Sequence, residues 1–502
     1  MRRPGAGRAA PVAVASLLAL GTVAGTAAAG GTALGATAAA RPAAAAGPVL
    51  KLERAQASIS LPRYGKQVYL DPGIWVDSLG SALRLNVRRT AYGQPLTITQ
   101  QIATPWGTTR YRRLPHWTLA GWNGLKNFAE LTVRNHAGQV VASHKLTFCP
   151  DSYDPERTRP NSPARDRFPQ QCSAGDPFGL GEVWGITRGW AVDPAESDYN
   201  GSSFQVGLGT YKVTETIRPA FAQLFHITTK NATATVTVHV VKPTDGIAAG
   251  PRQGPALGAP LPSLPKVATL KRAPRHALPD LVALPSWGIS AHNTKKGLSY
   301  IDFGATVWVG GQSKLDVEGF RNAGSNTMRA YQYFYRNGHI IGRIRAGTMS
   351  FDSEHGHNHW HFQQFARYVL LSANTQVAVR SRKAGFCIAP TDAVNMLLKH
   401  ADWRPSFLGF GGQCGSPTAL WVQEAMPIGW GDTYFQSLAG QSFNISSLPN
   451  GTYYIEIIAN PEHLLHEVTR SNDVSLRKVI ISGTAGHRHI RVPAYRGLDP
   501  EG

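Results

Sequence analysis

The sequence is poor in acid, in cysteine and in long apolar runs. Of its 502 residues 51 are Lys or Arg and only 31 are Asp or Glu, a formal net charge of +20. The basic residues are spread over both halves and form no block of five or six, so no charged tail is expected. Such a surface is either simply solvated or drawn to an anionic cell-wall or matrix polymer. After residue 46 no apolar run reaches 18 residues, so no membrane-spanning helix is expected in the mature chain. A phosphate-binding loop, a dinucleotide fingerprint, a nucleophile elbow and a zincin helix are all missing. With no recognition motif either, nucleic acid is not an expected partner. Only four cysteines occur, at 149, 172, 387 and 414. In an exported chain four suggest two disulfides. Three connectivities are open, and the two local pairs, Cys149–Cys172 and Cys387–Cys414, are favoured.

What is present reads as β structure. Hydrophobic residues make up 42%, with 12 Trp, 16 Tyr and 18 Phe, alongside 52 Gly and 34 Pro. The patterned stretches alternate with period two rather than 3.6, so a mainly β protein with many turns is expected. Residues 1–46 read as a signal peptide and Ala-rich spacer: Arg2, Arg3 and Arg8 precede an apolar stretch, Pro11 to Val23, and then small residues. Without the four arginines of that segment the charge falls to about +16, and the protein is expected to be secreted. Residues 243–278, rich in Pro, Gly and Ala, read as a linker. They separate a block at 47–242 from one at 279–492, with a tail at 493–502.

The two blocks resemble each other. Leu131–Ser152 and Tyr331–Ser353 each give strand, Arg-Asn turn, strand, Phe and Asp-Ser. Gly189-Trp190 and Gly429-Trp430 each precede a Gly-Thr-Tyr turn into a strand and a last alternating strand. The expectation is two tandem β-sandwich-like domains from one duplication. After the shared Asp-Ser the second block runs EHGHNHWHF, whereas the first runs YDPERTRPNSP and carries no ligand cluster. The first block is therefore read as a degenerate, non-catalytic β domain.

His355, His357, His359 and His361 alternate. On a strand, residues i, i+2 and i+4 share a face, so these imidazoles converge on one side, where on a helix they would fan out. That spacing points to a metal and leaves its identity open, since three histidines suit zinc as well as copper.

The stretch HGHNHWHFQQFARYVLLSANTQVAVRSRKAGFCI resembles the lysyl oxidases. In that family a His-x-His-x-His motif is followed by a strand, an Asn-Thr-Gln turn and Lys-Ala-x-Phe-Cys. The resemblance covers about residues 278–482. It implies copper ligands at His357, His359 and His361, a cofactor lysine at Lys383 and a cofactor tyrosine at Tyr434 in GWGDTYF. Copper and O2 would convert Tyr434 to a quinone to which Lys383 adds, giving lysine tyrosylquinone. The implied reaction turns primary amines, free or on protein lysines, into aldehydes with release of ammonia and hydrogen peroxide. His355 is read as a fourth ligand, a partner outside the ligand sphere or a solvated side chain. Asp432 is the motif carboxylate nearest the tyrosine, read as a general base or as a turn residue. The family carries a Cys where Gly356 stands and a Tyr where Trp360 stands, which leaves the substrate entrance open. Two rivals remain at this stage. One is a secreted metal-binding or adhesive module without turnover, which needs no Lys383–Tyr434 bond. The other is a zinc hydrolase, which needs neither residue.

Overall fold

A computed structural model describes residues 47–104, 108–172, 175–197, 203–243, 267–322, 324–353, 359–381, 383–405 and 414–502. The export segment 1–46, most of the linker (244–266), His355 and His357 lie outside the described residues.

The described chain is mainly β, as the period-two patterning requires, with short helices at Pro194–Ser197 and Pro219–Leu224. The described residues, from Gly47 onward, fall in one compact unit with two large hydrophobic cores. One is built almost wholly from the first half, around Trp184, Phe128 and Phe148. The other is built around Phe303, Trp360, Phe362 and Trp430 of the second half, with Phe168 and Val183 reaching in from the first.

Among the described residues each half contains three sheets, and strand order recurs between halves. The strands Leu50–Arg54, Ile74–Ser78, Trp190–Val192 and Glu156–Arg157 form a sheet in that order. Its counterpart runs Pro279–Ala283, Ser299–Gly311, Trp430–Tyr434, Asp392–Ala393. Gly181–Ile186, Leu83–Arg88, Thr97–Ala103 and Thr109–Leu114 correspond to Trp421–Met426, Leu315–Phe320, Thr327–Arg336 and His339–Asp352. In the third sheet, Val140–Phe148, Leu125–Arg134, Gly209–Ile217 and Thr233–Val241 match Val377–Arg380, Ala366–Ser372, Gly451–Ala459 and Val474–Thr484.

This topology shifts one of the sequence pairings. The hairpin Leu125–Phe148 stands where the hairpin of strands Ala366–Ser372 and Val377–Arg380 does, not where Thr327–Asp352 does. Asn-containing hairpin turns are common enough to mimic one another. By sequence, Lys145-Leu-Thr-Phe-Cys149 then lines up with Lys383-Ala-Gly-Phe-Cys387, one residue out of step with the strand register. Cys149 pairs with Cys172 and Cys387 with Cys414, each pair with Cα atoms 5.7 Å apart, as local pairing anticipated. Pro194 stands four residues after Trp190, where Tyr434 stands four after Trp430. Between Thr109–Leu114 and Leu125–Arg134 the first half has a 3₁₀ turn, His116–Thr118, where the second half has the strand His359–Gln363.

The halves are docked through backbone as well as side chains. Leu180 N–H donates to the Val394 carbonyl and Met396 N–H to that of Gly181, both at 2.7 Å. Arg404 pairs with Asp166 at 2.5 Å, and Trp403 stacks on Phe168 at 6.0 Å. The described end of the linker is fixed to the second half by hydrogen bonds between Ala268 or Leu270 and Arg343. The tail is fixed too: Tyr495 packs edge-on against Phe178 of the first half at 5.7 Å.

Candidate active site

The site is assembled at the edge of the sheet ordered Gly385–Phe386, His359–Gln363, His339–Asp352, Thr327–Arg336, Leu315–Phe320, Trp421–Met426. In the histidine strand, His359-Trp-His-Phe-Gln363, alternation sends Trp360 and Phe362 into the core, both fully buried. His359 and His361 therefore share the other face, with ring centroids 4.7 Å apart. That is close enough for two imidazoles to share one ion, with metal–nitrogen bonds of about 2.0 Å. On the neighbouring strand Asp352 lies opposite His359 and Ser350 opposite His361. The Asp352 carboxylate stands 3.3 Å from Nδ1 of His361. Such a carboxylate fixes which ring nitrogen faces a metal. A Cβ on Gly385 would come within 3.0 Å of the His361 Cβ and Nδ1, so glycine there lets the edge strand lie against the imidazole.

Lys383 and Tyr434, 51 positions apart in sequence, are brought together. The Lys383 ammonium lies over the Tyr434 ring, 4.3 Å from its centroid, and 5.1 Å from that of Phe386. Phe386 meets the tyrosine edge to face at 5.2 Å. Gly440 forms the floor beneath the lysine: it has φ +83°, and a Cβ there would stand 3.1 Å from that of Lys383. Main-chain N–H of Lys383 donates to the Ser381 hydroxyl, which in turn donates to the Gly440 carbonyl.

The phenol is held at its oxygen. Cys387 N–H donates to the Tyr434 hydroxyl at 2.9 Å, and that hydroxyl donates to the Cys387 carbonyl at 3.4 Å. Cys414, the disulfide partner, accepts from the N–H of Trp360, which stands between the two histidines. One disulfide thus ties the backbone of the histidine strand to the hydroxyl of the tyrosine. Register places His361 and Gly385 on one face of the sheet and Phe386, with Tyr434 against it, on the other, so the two groups meet at its edge strand.

Asp432 is not in a turn. It sits within the strand Trp430–Tyr434, fully buried, on the same face as Tyr434. Neither carboxylate oxygen has a hydrogen-bond partner of ordinary geometry among the described residues. Burial pushes its pKa well above the carboxylate range, opposed chiefly by the Lys383 charge and more weakly by the Ala389 N–H. The Tyr434 phenol is likewise pushed well above its usual value, first by burial and then by the charges of Asp432 and Tyr368.

Sequence reasoning missed Glu424. It is fully buried on the core face, accepts from Ile388 N–H at 3.0 Å beside the Cys387 anchor, and acts electrostatically on Tyr434. Burial holds its pKa well above the usual range. Nothing in VQEAMP marked that glutamate, since a single acid in a strand ordinarily faces water. Asp352 did carry a signal, as part of the Phe-Asp-Ser that precedes the histidines, but its pairing with His361 needed the hairpin register. His359, His361, Lys383, Tyr434 and Asp432 are all placed at this sheet edge.

Comparison with known proteins agrees with the geometry. Residues 341–489 match the lysyl oxidase family. Lysyl oxidase homolog 2 of Gallus gallus is 24% identical over 148 residues, 29% of this chain and 17% of that protein. Lysyl oxidase homolog 3B of Danio rerio is 26% identical over 140 residues, 27% and 16% of the two chains. Lysyl oxidase homolog 4 of Homo sapiens is 25% identical over 148 residues, 29% and 18%. The match thus spans less than a fifth of the length of these relatives. Residues 341–489, in the C-terminal half, thus carry a domain that matches the lysyl oxidase family.

Proposed function

We propose that the C-terminal half is a secreted copper-dependent oxidase of primary amines whose organic cofactor forms from Lys383 and Tyr434. The observation that carries this reading is the lysine amine 4.3 Å from the centre of the Tyr434 ring. A cation over a ring is common at surfaces, but this tyrosine is only 7% exposed and is fixed at its hydroxyl.

The residues fit the cofactors. His359 and His361 offer imidazole donors of the kind copper takes, and His357 and His355, which lie outside the described residues, complete the proposed ligand set. Bound copper with O2 would supply the oxidation of the tyrosine ring, and the product of its linkage to lysine would supply the two-electron sink that ordinary side chains lack.

The chain's own contributions follow from the geometry. Phe386 and the Cys387 backbone hold the phenol in one orientation. Gly440 lets the lysine stem lie flat, with Nζ above the ring. Asp432 is the carboxyl able to take a proton from the Lys383 ammonium, since each acts on the other's charge. Burial of Tyr434, Trp430 and Phe362 keeps bulk water from this pocket.

The test is peptide mass spectrometry of the full chain matured with copper in air, followed by phenylhydrazine trapping. A Lys383–Tyr434 cross-link that takes up the probe supports the oxidase. Unlinked, unreactive peptides from a copper-loaded sample would overturn it and favour a metal-binding module.

A further inference from the structure

The first half has a groove of its own, far in sequence from the reactive pair. Along the strand Leu83–Arg88, alternation buries Leu83, Leu85 and Val87 and turns Arg84, Asn86 and Arg88 to the other face. Cross-strand register sets Thr99 and then Arg113 in line with Asn86. Residues 396–398 and Trp403 of the second half face this surface, and between them lies a groove of about 710 Å³. Among its described lining residues there is no Asp or Glu. At the matching register positions the second half holds Asp316, Glu318 and Phe320, so the cations belong to the first half alone.

Arg84 is the best fixed of them. Its guanidinium lies over the Trp403 ring at 4.6 Å, and that ring stacks on Phe168 at 6.0 Å. The Trp403 indole N–H donates to the Met396 carbonyl at 2.9 Å, which locks the ring in place. Arg84 Nε faces the Asn86 side-chain oxygen at 3.5 Å. Its terminal nitrogens are not sealed from solvent and have no acceptor among the described residues. Burial pulls the Arg84 pKa below its ordinary value, and only the Tyr111 phenol opposes this, so no carboxylate offsets the charge. Arg88 and Arg113 are exposed, and neither side chain has a partner among the described residues. At about 3.3 Å per residue, Arg84 and Arg88 start about 13 Å apart, with Arg113 about 10 Å to the side. Cations spread over that span match successive charges on a chain better than one small ion. The walls are also rich in donors and poor in free acceptors, since Arg84 faces the Asn86 oxygen. A polypeptide would bring backbone N–H groups that find few partners here, whereas an ester oxyanion brings acceptors only.

We infer that this groove binds a linear polymer bearing phosphate or sulfate esters, with Arg84, Arg88 and Arg113 as its contacts. The non-catalytic half is then an anchoring module, and its site is complete only when Trp403 of the other half is docked beneath Arg84. This inference stands apart from the amine-oxidase reading, because the groove contains none of the residues assigned to that chemistry.

The experiment uses the full chain with two fluorescein-labelled probes, a short linear polyphosphate and a sulfated dextran oligomer. Anisotropy should show binding of one or both that weakens as salt rises, and the tighter of the two names the ester. Inorganic phosphate at equal charge should displace the probe roughly tenfold less well than the unlabelled polymer. Arg88→Gln with Arg113→Gln, both exposed, should weaken binding about tenfold, a loss of about 1.4 kcal/mol. Arg84→Lys, which keeps the charge but loses the planar fork and the stacking, should weaken it several-fold. Arg336→Gln with Arg491→Gln removes the same charge from exposed positions elsewhere and should leave affinity nearly unchanged. Equal loss in the two double variants would show diffuse charge attraction and overturn the site. So would absence of binding to both polymers, or polyglutamate bound as tightly as either. Phenylhydrazine labelling is read on the same samples and should be unchanged in every variant. Labelled protein without polymer binding sinks the groove alone, and polymer binding without labelling sinks the oxidase alone.

Discussion

Gly440→Ala should uncouple folding from cofactor formation. Gly440 has φ +83°, where an L residue is strained by about 1–2 kcal/mol. Its new Cβ would lie 3.1 Å from Lys383 Cβ, 3.4 Å from Cδ and 3.5 Å from Cγ. Carbon atoms prefer roughly 3.5–4.0 Å, so the lysine stem must move away by about half an ångström along most of its length. The chain as a whole should survive, since a domain is typically stable by about 5–15 kcal/mol. The amine, however, has only the long stem through which to absorb the shift, and it stands 4.3 Å from the ring centroid. We expect a drop in melting temperature of a few degrees and a rate of Lys383–Tyr434 cross-linking at least tenfold below wild type. Far-ultraviolet circular dichroism and copper content should match wild type, and timed peptide mass spectrometry reads the cross-link. Cross-linking at the wild-type rate in a folded Gly440→Ala protein would refute the claim that this glycine seats the lysine.

Further expectations concern separate parts of the site. Gly385→Ala brings a Cβ within 3.0 Å of His361 Nδ1 and 2.9 Å of Gln363 Nε2; titration should show copper affinity about 10–100-fold weaker, and unchanged affinity would remove Gly385 from the site. Replacing Cys387 and Cys414 together by serine should cost about 3 kcal/mol in denaturant unfolding and slow maturation of Tyr434, whose hydroxyl the Cys387 backbone holds. Away from the site, Glu215 has its pKa raised to about 8, mainly by burial. Because the unfolded chain releases that proton near the ordinary value of 4.5, stability contributed here falls as pH rises from there and is lost above about 8. Glu215→Gln should flatten that slope and stabilise the protein by roughly 5 kcal/mol at pH 9, at about 1.36 kcal/mol per unit; an unaltered stability–pH curve would show that Glu215 is ionised in the fold.

The sequence by itself determined the mainly β character and the local disulfides, and it singled out the candidate residues of the site. Period two, turn residues and cysteine spacing are local properties, and so is an alternation of histidines that only an extended strand can turn to one face. Tertiary structure decided how the halves correspond and what surrounds the reactive pair. One Asn-turn hairpin looks much like another in sequence, and only strand order shows that Leu125–Phe148 stands for the hairpin of Ala366–Ser372 and Val377–Arg380. In the first half a 3₁₀ turn, His116–Thr118, stands where the second half has the strand His359–Gln363, and Pro194 stands four residues after Trp190 where Tyr434 stands four after Trp430. Asp432 read equally well as a turn residue, and Glu424 as a solvated one, until long-range strand pairing buried both. Burial of a charge is a property of what packs over it from distant parts of the chain, so no local pattern announces it.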